Sequence, residues 1–424
     1  MEYLSRVCDA VLAEALASAG AVLIEGPKWC GKTSLGKRQA KSVLLLHDPD
    51  KSASYLALAE TMPSRLLKGE TPRLLDEWQD APQLWNAVRF MVDERGGTGH
   101  FILTGSSTPR DEARGETKRH SGAGRISRLK MLPMSLFESL ESSGEVSLAE
   151  LFNGVDSIDG ESKVKDIEQL AYIVCRGGWP EAVTTGGTRA LRRAENYLDT
   201  IVEEDIHRVD GIEKNPVRVR TLLRSLARNI STLASNKTIL DDVRANDSTM
   251  SDKTLAAYMN ALHRLFVVED EAAWSPSLRS KAAIRSSAKR QFADPSIAAA
   301  ALKASPEKLL GDFETFGFLF ESLAVRDVRV YSSPIGGDVL HYRDETGLES
   351  DMIVQLKDGR WGAIEVKLGG RLIDEAAAHL LKLRNTVDTT KVGKPSFLMV
   401  LTGTEFAYRR PDGVFVCPIG CLKP

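Results

Sequence analysis

Two groups of residues have the types and spacing that chemistry needs. The first is the run Gly26-Pro27-Lys28-Trp29-Cys30-Gly31-Lys32-Thr33-Ser34, which fits GxxxxGK[ST] without a gap. Glycines let backbone N–H groups curl around phosphate oxygens. The lysine reaches the β- and γ-phosphates, and the Thr hydroxyl is a hard oxygen suited to Mg2+. The expected ligands are therefore ATP, cradled by residues 26–34, and Mg2+ at Thr33. Downstream, the apolar run Arg73-Leu-Leu ends in Asp76 and Glu77. Asp76 is expected to hold Mg2+ through water, and Glu77 to polarise the attacking water as the catalytic acid of the pair, with Lys32 stabilising the transferred phosphate. The run FILTGSS ends in small hydroxyl residues, of which Ser106 is the candidate γ-phosphate sensor. A polar loop follows with Arg110, Arg114, Arg119, Arg125 and Arg128. Arg125, between a glycine and an apolar restart, is the candidate transition-state cation, in cis or from a neighbouring subunit.

The second group lies near the other end, in LESDMIVQLKDGRWGAIEVK. Residues i and i+2 of a strand share a face, so Glu365 and Lys367 project together. The Lys-Asp-Gly-Arg turn folds two strands into a hairpin and lets Asp351 approach Glu365. Two carboxylates and a strand carbonyl suit Mg2+, and Lys367 is placed to orient a water or steady developing charge as a catalytic residue. An ordinary surface hairpin with a Glu–Lys pair shares this short pattern.

The elements that must position these groups follow from the hydropathy pattern. Residues 1–135 alternate short apolar runs (AVLIE, SVLLLHDPD, PRLLDEWQD, HFILTGSS) with helical stretches, as a mostly parallel α/β sheet requires. From about 136 the strand signals stop, and residues 136–212 read as a helical connector. Residues 213–290 hold three helix candidates and a short apolar tail, a winged-helix pattern. Ser251 is placed to cap the third helix. Residues 291–424 form a second α/β unit of hairpin strands and helices.

Composition sets outer bounds. The chain has 424 residues, 42% hydrophobic and 27% charged, with a formal net charge of -2. No global field attracts nucleic acid, so any DNA contact must come from a local patch. The run Arg279, Lys281, Arg285, Lys289 and Arg290 is one such patch or a solvated linker. Lys253, Tyr258 and Arg264 on the third helix are candidates to face a groove. No apolar run has the length of a membrane span, and the amphipathic N-terminus lacks the pattern of a signal peptide. The five cysteines are scattered and odd in number. Cys417 and Cys421 have no second pair for zinc, and the chain is expected to be cytoplasmic with no membrane partner.

Together, GPKWCGKTS, LLDEWQ, ILTGSS with GRISRLKMLPMSLFE, RGGWPEAV, KTLAAYMNAL, KRQFADPSIAAAAL and the ESD…EVK pair resemble a family of bacterial and archaeal AAA+ ATPases. In that family a C-terminal region of unknown function follows the P-loop ATPase domain. The resemblance covers nearly the whole chain. It implies a winged helix after the ATPase and a restriction-nuclease-like, PD-(D/E)XK-type α/β domain at the end, in which Glu321, on an apolar-striped helix, resembles the additional metal-ligating carboxylate of some such nucleases. Lys28-Trp29-Cys30 departs from the Arg and small residues of many relatives.

Three functions are consistent with these parts, of which the first is the expected one and the second its alternative. One is an ATP-driven enzyme whose C-terminal domain binds or cleaves DNA with Mg2+. Another is a nucleotide-dependent switch or scaffold whose C-terminal half is a non-catalytic protein-binding module. The third is a signalling ATPase that senses a ligand and forms a homo-oligomer.

Overall fold

The computed structural model describes residues 3–108, 121–209, 211–276 and 287–424. They divide into two compact units. The first comprises Met1–Leu132, Glu203–Lys214 and Met259–Val267; the second comprises Pro133–Val202, Asn215–Tyr258 and Val268–Pro424.

The first unit is built on strands β1 (Ala21–Glu25), β2 (Ser42–Leu45), β3 (Arg73–Asp76), β4 (Phe101–Gly105) and β5 (Ile126–Lys130). They form a sheet in the order β2-β3-β4-β1-β5, with every neighbouring pair parallel. Period-two alternation sends successive side chains of the inner strands into two separate cores. Ala21 and Leu23 join one core with Leu75, Phe101 and Leu103, packed by Leu84, Trp85, Val88 and Val92 of the helix Gln83–Arg95. Val22 and Ile24 face the opposite core with Leu74 and Ile102, packed by Leu12 and Leu35 from the helices Cys8–Ser18 and Lys32–Gln39. A parallel sheet covered on both faces is buried throughout, so its strands read as continuous apolar runs. β5 carries no such run. Its ISRLK sequence alternates buried and open positions, as an edge strand does.

In the second unit the stretch expected to be a helical connector also supplies strands. β6 (Val146–Ser147) pairs in parallel with β14 (Leu422–Lys423), and β7 (Gly160–Glu161) forms the edge of a seven-stranded sheet. The other strands of that sheet are β8 (Gly337–Arg343), β9 (Glu349–Leu356), β10 (Trp361–Lys367), β11 (Leu398–Thr402), β12 (Phe406–Arg409) and β13 (Phe415–Pro418), in the order β7-β12-β13-β11-β10-β9-β8. β8, β9 and β10 run antiparallel to one another, whereas β10, β11 and β13 are parallel. One face packs Ile353, Trp361, Ala363, Val400 and Val416 against Ala376, Ala377, Leu380 and Leu383 of the helix Ile373–Thr386.

The three middle helices are Pro216–Arg228, Asn236–Arg244 and Asp252–Arg264. Each has a side-chain oxygen at its start: Asn215 accepts from Val217 and Arg218, Ser235 from Thr238, and Ser251 from Thr254. Two antiparallel bridges follow, Val268 with Phe292 and Glu271 with Lys289.

A buried ion network ties distant segments of the second unit. Arg326 donates from Nη1 to Asp294 at 2.8 Å, and from Nε and Nη2 to Asp327 at 2.9 and 2.6 Å. Asp294 also accepts the Gly178 N–H, and Asp327 the Leu136 N–H. All three side chains are buried, and the two carboxylates hold the guanidinium above its ordinary range against the opposing effect of burial. Gly178 has no room for more, since an added Cβ would meet the Met134 carbonyl oxygen at 2.1 Å. Removing one partner of such a pair leaves an uncompensated buried charge. Arg326→Met is therefore expected to lower unfolding free energy by about 3–5 kcal/mol, read by urea denaturation. A loss below about 1 kcal/mol would show that the network is dispensable.

Candidate functional site

The phosphate loop leaves the buried end of β1. Gly26 has φ 153°, and a Cβ there would lie 2.1 Å from the Met131 carbonyl oxygen, so backbone approaches backbone with only a hydrogen between. Gly31, at φ 107°, turns the chain into the helix Lys32–Gln39, whose N-terminal N–H groups favour an anion. Lys32 is buried and donates to the carbonyls of Gly26 at 2.9 Å and Pro27 at 2.7 Å. Arg6 braces the loop from behind, donating to the carbonyls of Cys30 at 2.7 Å and Leu132 at 2.8 Å. Lys28 pairs with Asp205 at 2.6 Å. Trp29 stands half-exposed with φ 64°.

Sheet order brings the acids to this loop. With β4 between β1 and β3, Thr104 donates to Asp76 Oδ1 at 2.6 Å, and Thr33 donates to the same oxygen at 2.8 Å. Asp76 is fully buried, and its Oδ2 has no hydrogen-bond partner among the described residues. The His47 ring nitrogen lies 3.8 Å from it. A buried, unsatisfied carboxylate oxygen beside a Thr hydroxyl is a donor set that fits Mg2+, whose remaining ligands come from water and phosphate.

Glu77 sits in the left-handed region at φ 55°, its N–H held by Thr104 Oγ1 at 3.1 Å. Its Oε2 accepts from Ser106 Oγ at 3.1 Å and from the Gln79 amide. Ser106, expected to sense phosphate, thus hydrogen-bonds the acid itself. Burial, followed by the Glu77 charge, raises the nearby Asp80 carboxyl above its ordinary range. Arg6 and Asp205 were not anticipated, because neither belongs to the loop or the acid motif. Gln79 lies within LLDEWQ and Thr104 among the hydroxyls that end FILTGSS, but their hydrogen bonds to the acids were not read from those runs.

Arg125 requires correction. Its carbonyl accepts the Ala21 N–H at 3.0 Å, placing it where β1 begins, while the phosphate loop leaves β1 five residues later. At about 3.3 Å per residue the two lie on opposite ends of the sheet. Its guanidinium pairs with Asp93 at 2.8 Å, so it does not serve the site of its own chain. Arg128 pairs with Glu25. Arg110, Arg114 and Arg119 lie outside the described residues.

The second group also converges. Ile364 pairs with Met352 across β9 and β10, and the register carries Glu365 on to Asp351. Lys367 Nζ lies 3.0 Å from Glu365 Oε2 and 3.8 Å from Asp351 Oδ2, and the Val366 N–H donates to Asp351 at 2.8 Å. Glu321 arrives from the helix Phe313–Ser332. The decisive addition is Lys289. Its buried ammonium pairs closely with Glu321 and lies 3.2 Å from Asp351 Oδ1. Glu271, opposite Lys289 in the bridge, is fully buried beside them.

Electrostatics follow from burial. It pushes the Glu321 carboxyl up to about 8, with the Asp351 charge adding and Lys289 opposing. It pushes Glu271 up to about 7 against the pull of Lys289 and Arg329. Glu365 is raised well above the carboxylate range by burial and then by Asp351. Asp351 is held below that range, because Lys289, Lys367 and the Val366 N–H together outweigh its burial. Burial alone would depress the Lys289 ammonium, but Glu321, Asp351 and Glu271 hold it well above its ordinary range.

These positions do not fit the expected Mg2+ ligation by Asp351, Glu365 and Glu321. The carboxylates are turned to ammonium groups, and, with the side chains arranged as they are, no cluster of three or more His, Cys, Asp or Glu among the described residues is set to hold a metal ion. The basic run is corrected with them. Lys289 and Arg290 are buried; Arg290 donates to Asp270 at 2.8 Å, to the Ala234 carbonyl at 2.9 Å and to Asn236 at 2.6 Å. Tyr258 is buried, its hydroxyl accepting from the Asn215 N–H, and Arg264 donates to the Thr108 carbonyl, while Lys253 is exposed. Arg279, Lys281 and Arg285 lie outside the described residues.

Residues 18–140 match the model of an AAA domain. Residues 167–308 and 316–422 match two domains of unknown function, DUF8612 and DUF4143. The uncharacterized proteins Rv2008c of Mycobacterium tuberculosis and Mb2031c of Mycobacterium bovis are each 25% identical over 365 residues, 85% of this chain and 73% of theirs. A Walker-type ATPase of Pyrococcus abyssi is 16% identical over 69% of this chain and 94% of its own, with a TM-score of 0.44. With its loop and acids in place, the first unit is an AAA-class P-loop domain with a site for ATP. No described helix is long and apolar enough to cross a membrane.

The cluster has a consequence for pH. A carboxyl whose pKa is higher in the folded chain holds its proton more tightly there. Its stabilising effect is complete below the unfolded value, 4.5 for Glu271, and is lost as pH rises through about 7. Relative to wild type, Glu271→Gln is expected to gain stability between about pH 5 and about pH 8, on the order of 3 kcal/mol. Urea denaturation across that range measures it. Parallel profiles for the two proteins would mean that Glu271 is not raised.

Proposed function

We propose that this chain is a Mg2+-dependent ATPase that works as a nucleotide-dependent switch or scaffold, with a non-catalytic, protein-binding C-terminal half. The observation that carries the ATPase reading is the buried Asp76, bonded to Thr33 through one oxygen and unsatisfied at the other. ATP phosphates enter the loop of residues 26–34, and the Lys32 ammonium exchanges the carbonyls of Gly26 and Pro27 for phosphate oxygens. Thr33 and Asp76 hold the ion. When bound, Mg2+ would offset the negative charge of the phosphates. Glu77 polarises the attacking water, and Ser106 and Gln79 fix the direction of its carboxylate.

The C-terminal reading rests on Lys289 and Lys367, which already pair with the carboxylates that a nuclease would turn to a metal. The β9–β10 register favours a nuclease-like fold, and a retained fold can serve for binding alone. The three capped helices and two following bridges favour a winged-helix-like middle. The partners on this reading are ATP, a protein and a second copy of the chain. Among the described residues, DNA contact keeps support from exposed groups such as Lys253.

Glu77→Gln is expected to retain ATP binding while slowing turnover about 10²–10⁴-fold. Lys32→Ala is expected to weaken binding itself. Fluorescent-nucleotide titration and phosphate release separate the two. Undiminished turnover in both variants would sink the ATPase reading.

A further inference from the structure

We propose that Lys289 is a built-in cation that occupies a latent divalent-metal cradle formed by Asp351, Glu321 and Glu365. The inference deepens the non-catalytic reading of the C-terminal half and rests on it.

The cradle has the chemistry of a hard-cation site. Its charged ligands are all carboxylate oxygens, and the backbone of β10 lies alongside. Its centre holds an ammonium. Lys289 Nζ contacts Glu321 on one side and Asp351 Oδ1, at 3.2 Å, on the other. Lys367 takes up Glu365 at 3.0 Å and approaches the second Asp351 oxygen at 3.8 Å. A divalent ion joining both lysines would add two positive charges to a cluster already compensated in a buried setting, where such charge is costly.

Backbone placement supports the assignment. Glu271 and Lys289 exchange N–H···O bonds of 2.9 Å in both directions. Residues so paired in an antiparallel bridge send their side chains to the same side. Lys289 is therefore delivered into the cluster by a two-stranded bridge, unlike a flexible surface lysine that folds in by chance. Glu271 comes with it, buried, with neither carboxylate oxygen hydrogen-bonded among the described residues. Together they supply the cluster with its cation and a further acid. Ala273, two residues on, pairs with His341 of β8, and the Trp274 N–H accompanies it by donating to the His341 carbonyl at 2.6 Å. The lysine thus staples this bridge to the sheet at the position where metal would otherwise do so.

The test uses the full chain without nucleotide, titrated with Mn2+. Bound ions are counted by equilibrium dialysis, and the melting temperature is followed. Wild type and Glu365→Gln, which imitates a protonated carboxyl, are expected to bind the same number of ions. Lys289→Met is expected to bind one more than wild type and to show a saturable rise in melting temperature with Mn2+. That gain is expected to vanish in Lys289→Met with Asp351→Asn. Loss of a bound ion in Glu365→Gln would overturn the proposal, because wild type would then already bind metal there. A folded Lys289→Met without the extra ion would overturn it too. If Lys289→Met fails to fold, the comparison of wild type with Glu365→Gln still decides. Mn2+-dependent DNA cleavage by wild type, lost in Lys367→Ala, would instead sink the non-catalytic reading on which the proposal rests.

Discussion

Arg326 is the point on which the second unit converges. One guanidinium joins Asp294, at the start of the helix Pro295–Leu302, to Asp327, its own neighbour on a twenty-residue helix. Through those carboxylates it also fixes the N–H groups of Gly178 and Leu136. Four segments far apart in sequence thereby share one charge system that has no water to fall back on. Its geometry is directional, because guanidinium donors lie in a plane and each carboxylate accepts along defined lone pairs. A hydrophobic contact would tolerate a slip of one residue there; this network does not. The same helix carries Glu321, so the fixing of Arg326 also fixes where that carboxylate emerges.

In the first unit the corresponding constraint is the parallel sheet. Burial on both faces makes the inner strands β1, β3 and β4 largely apolar, and their polar side chains gather where the strands end. Thr104, Ser106, Asp76 and Glu77 all occur at or just past those ends. The strand β4, inserted between β1 and β3, brings the Thr104 hydroxyl to Asp76. Strand order thus concentrates polar chemistry at one end of the strands. Arg125 lies at the opposite end, away from the site of its own chain.

Legibility in the sequence tracked the range of the interaction. The phosphate loop, the Asp76–Glu77 pair and the Asp351–Glu365 hairpin were readable because their parts are local or fixed by period-two alternation. β5 and the two-residue strands β6 and β7 were not, because an edge strand with alternating polarity, or one of two residues, leaves no apolar run. The cation run at Lys289 and Arg290 misled for another reason. Charge density along a chain says nothing about which side chains find buried acids. Here the acids, Glu321, Asp351 and Asp270, come from three different elements. The buried role of Arg6 was equally silent, being a single residue outside any motif.

The two lysine sites show how one residue type takes opposite assignments. Lys32 is buried against carbonyl oxygens, which are neutral acceptors. An arriving phosphate offers it full negative charge, so exchange is favourable and the residue is available for binding. Lys289 is buried against carboxylates, and no ligand of ordinary charge offers it a better partner. Availability is therefore set by what already pairs with the ammonium and by how it is delivered. Lys32 comes from a glycine-flanked loop at the mouth of a helix, open on the phosphate side. Lys289 comes from a bridge bonded in both directions, with an acid beside it. The short sequence patterns around the two carry comparable numbers of charged residues, and only the partners of each ammonium distinguish a site that awaits its ligand from one that already contains its cation.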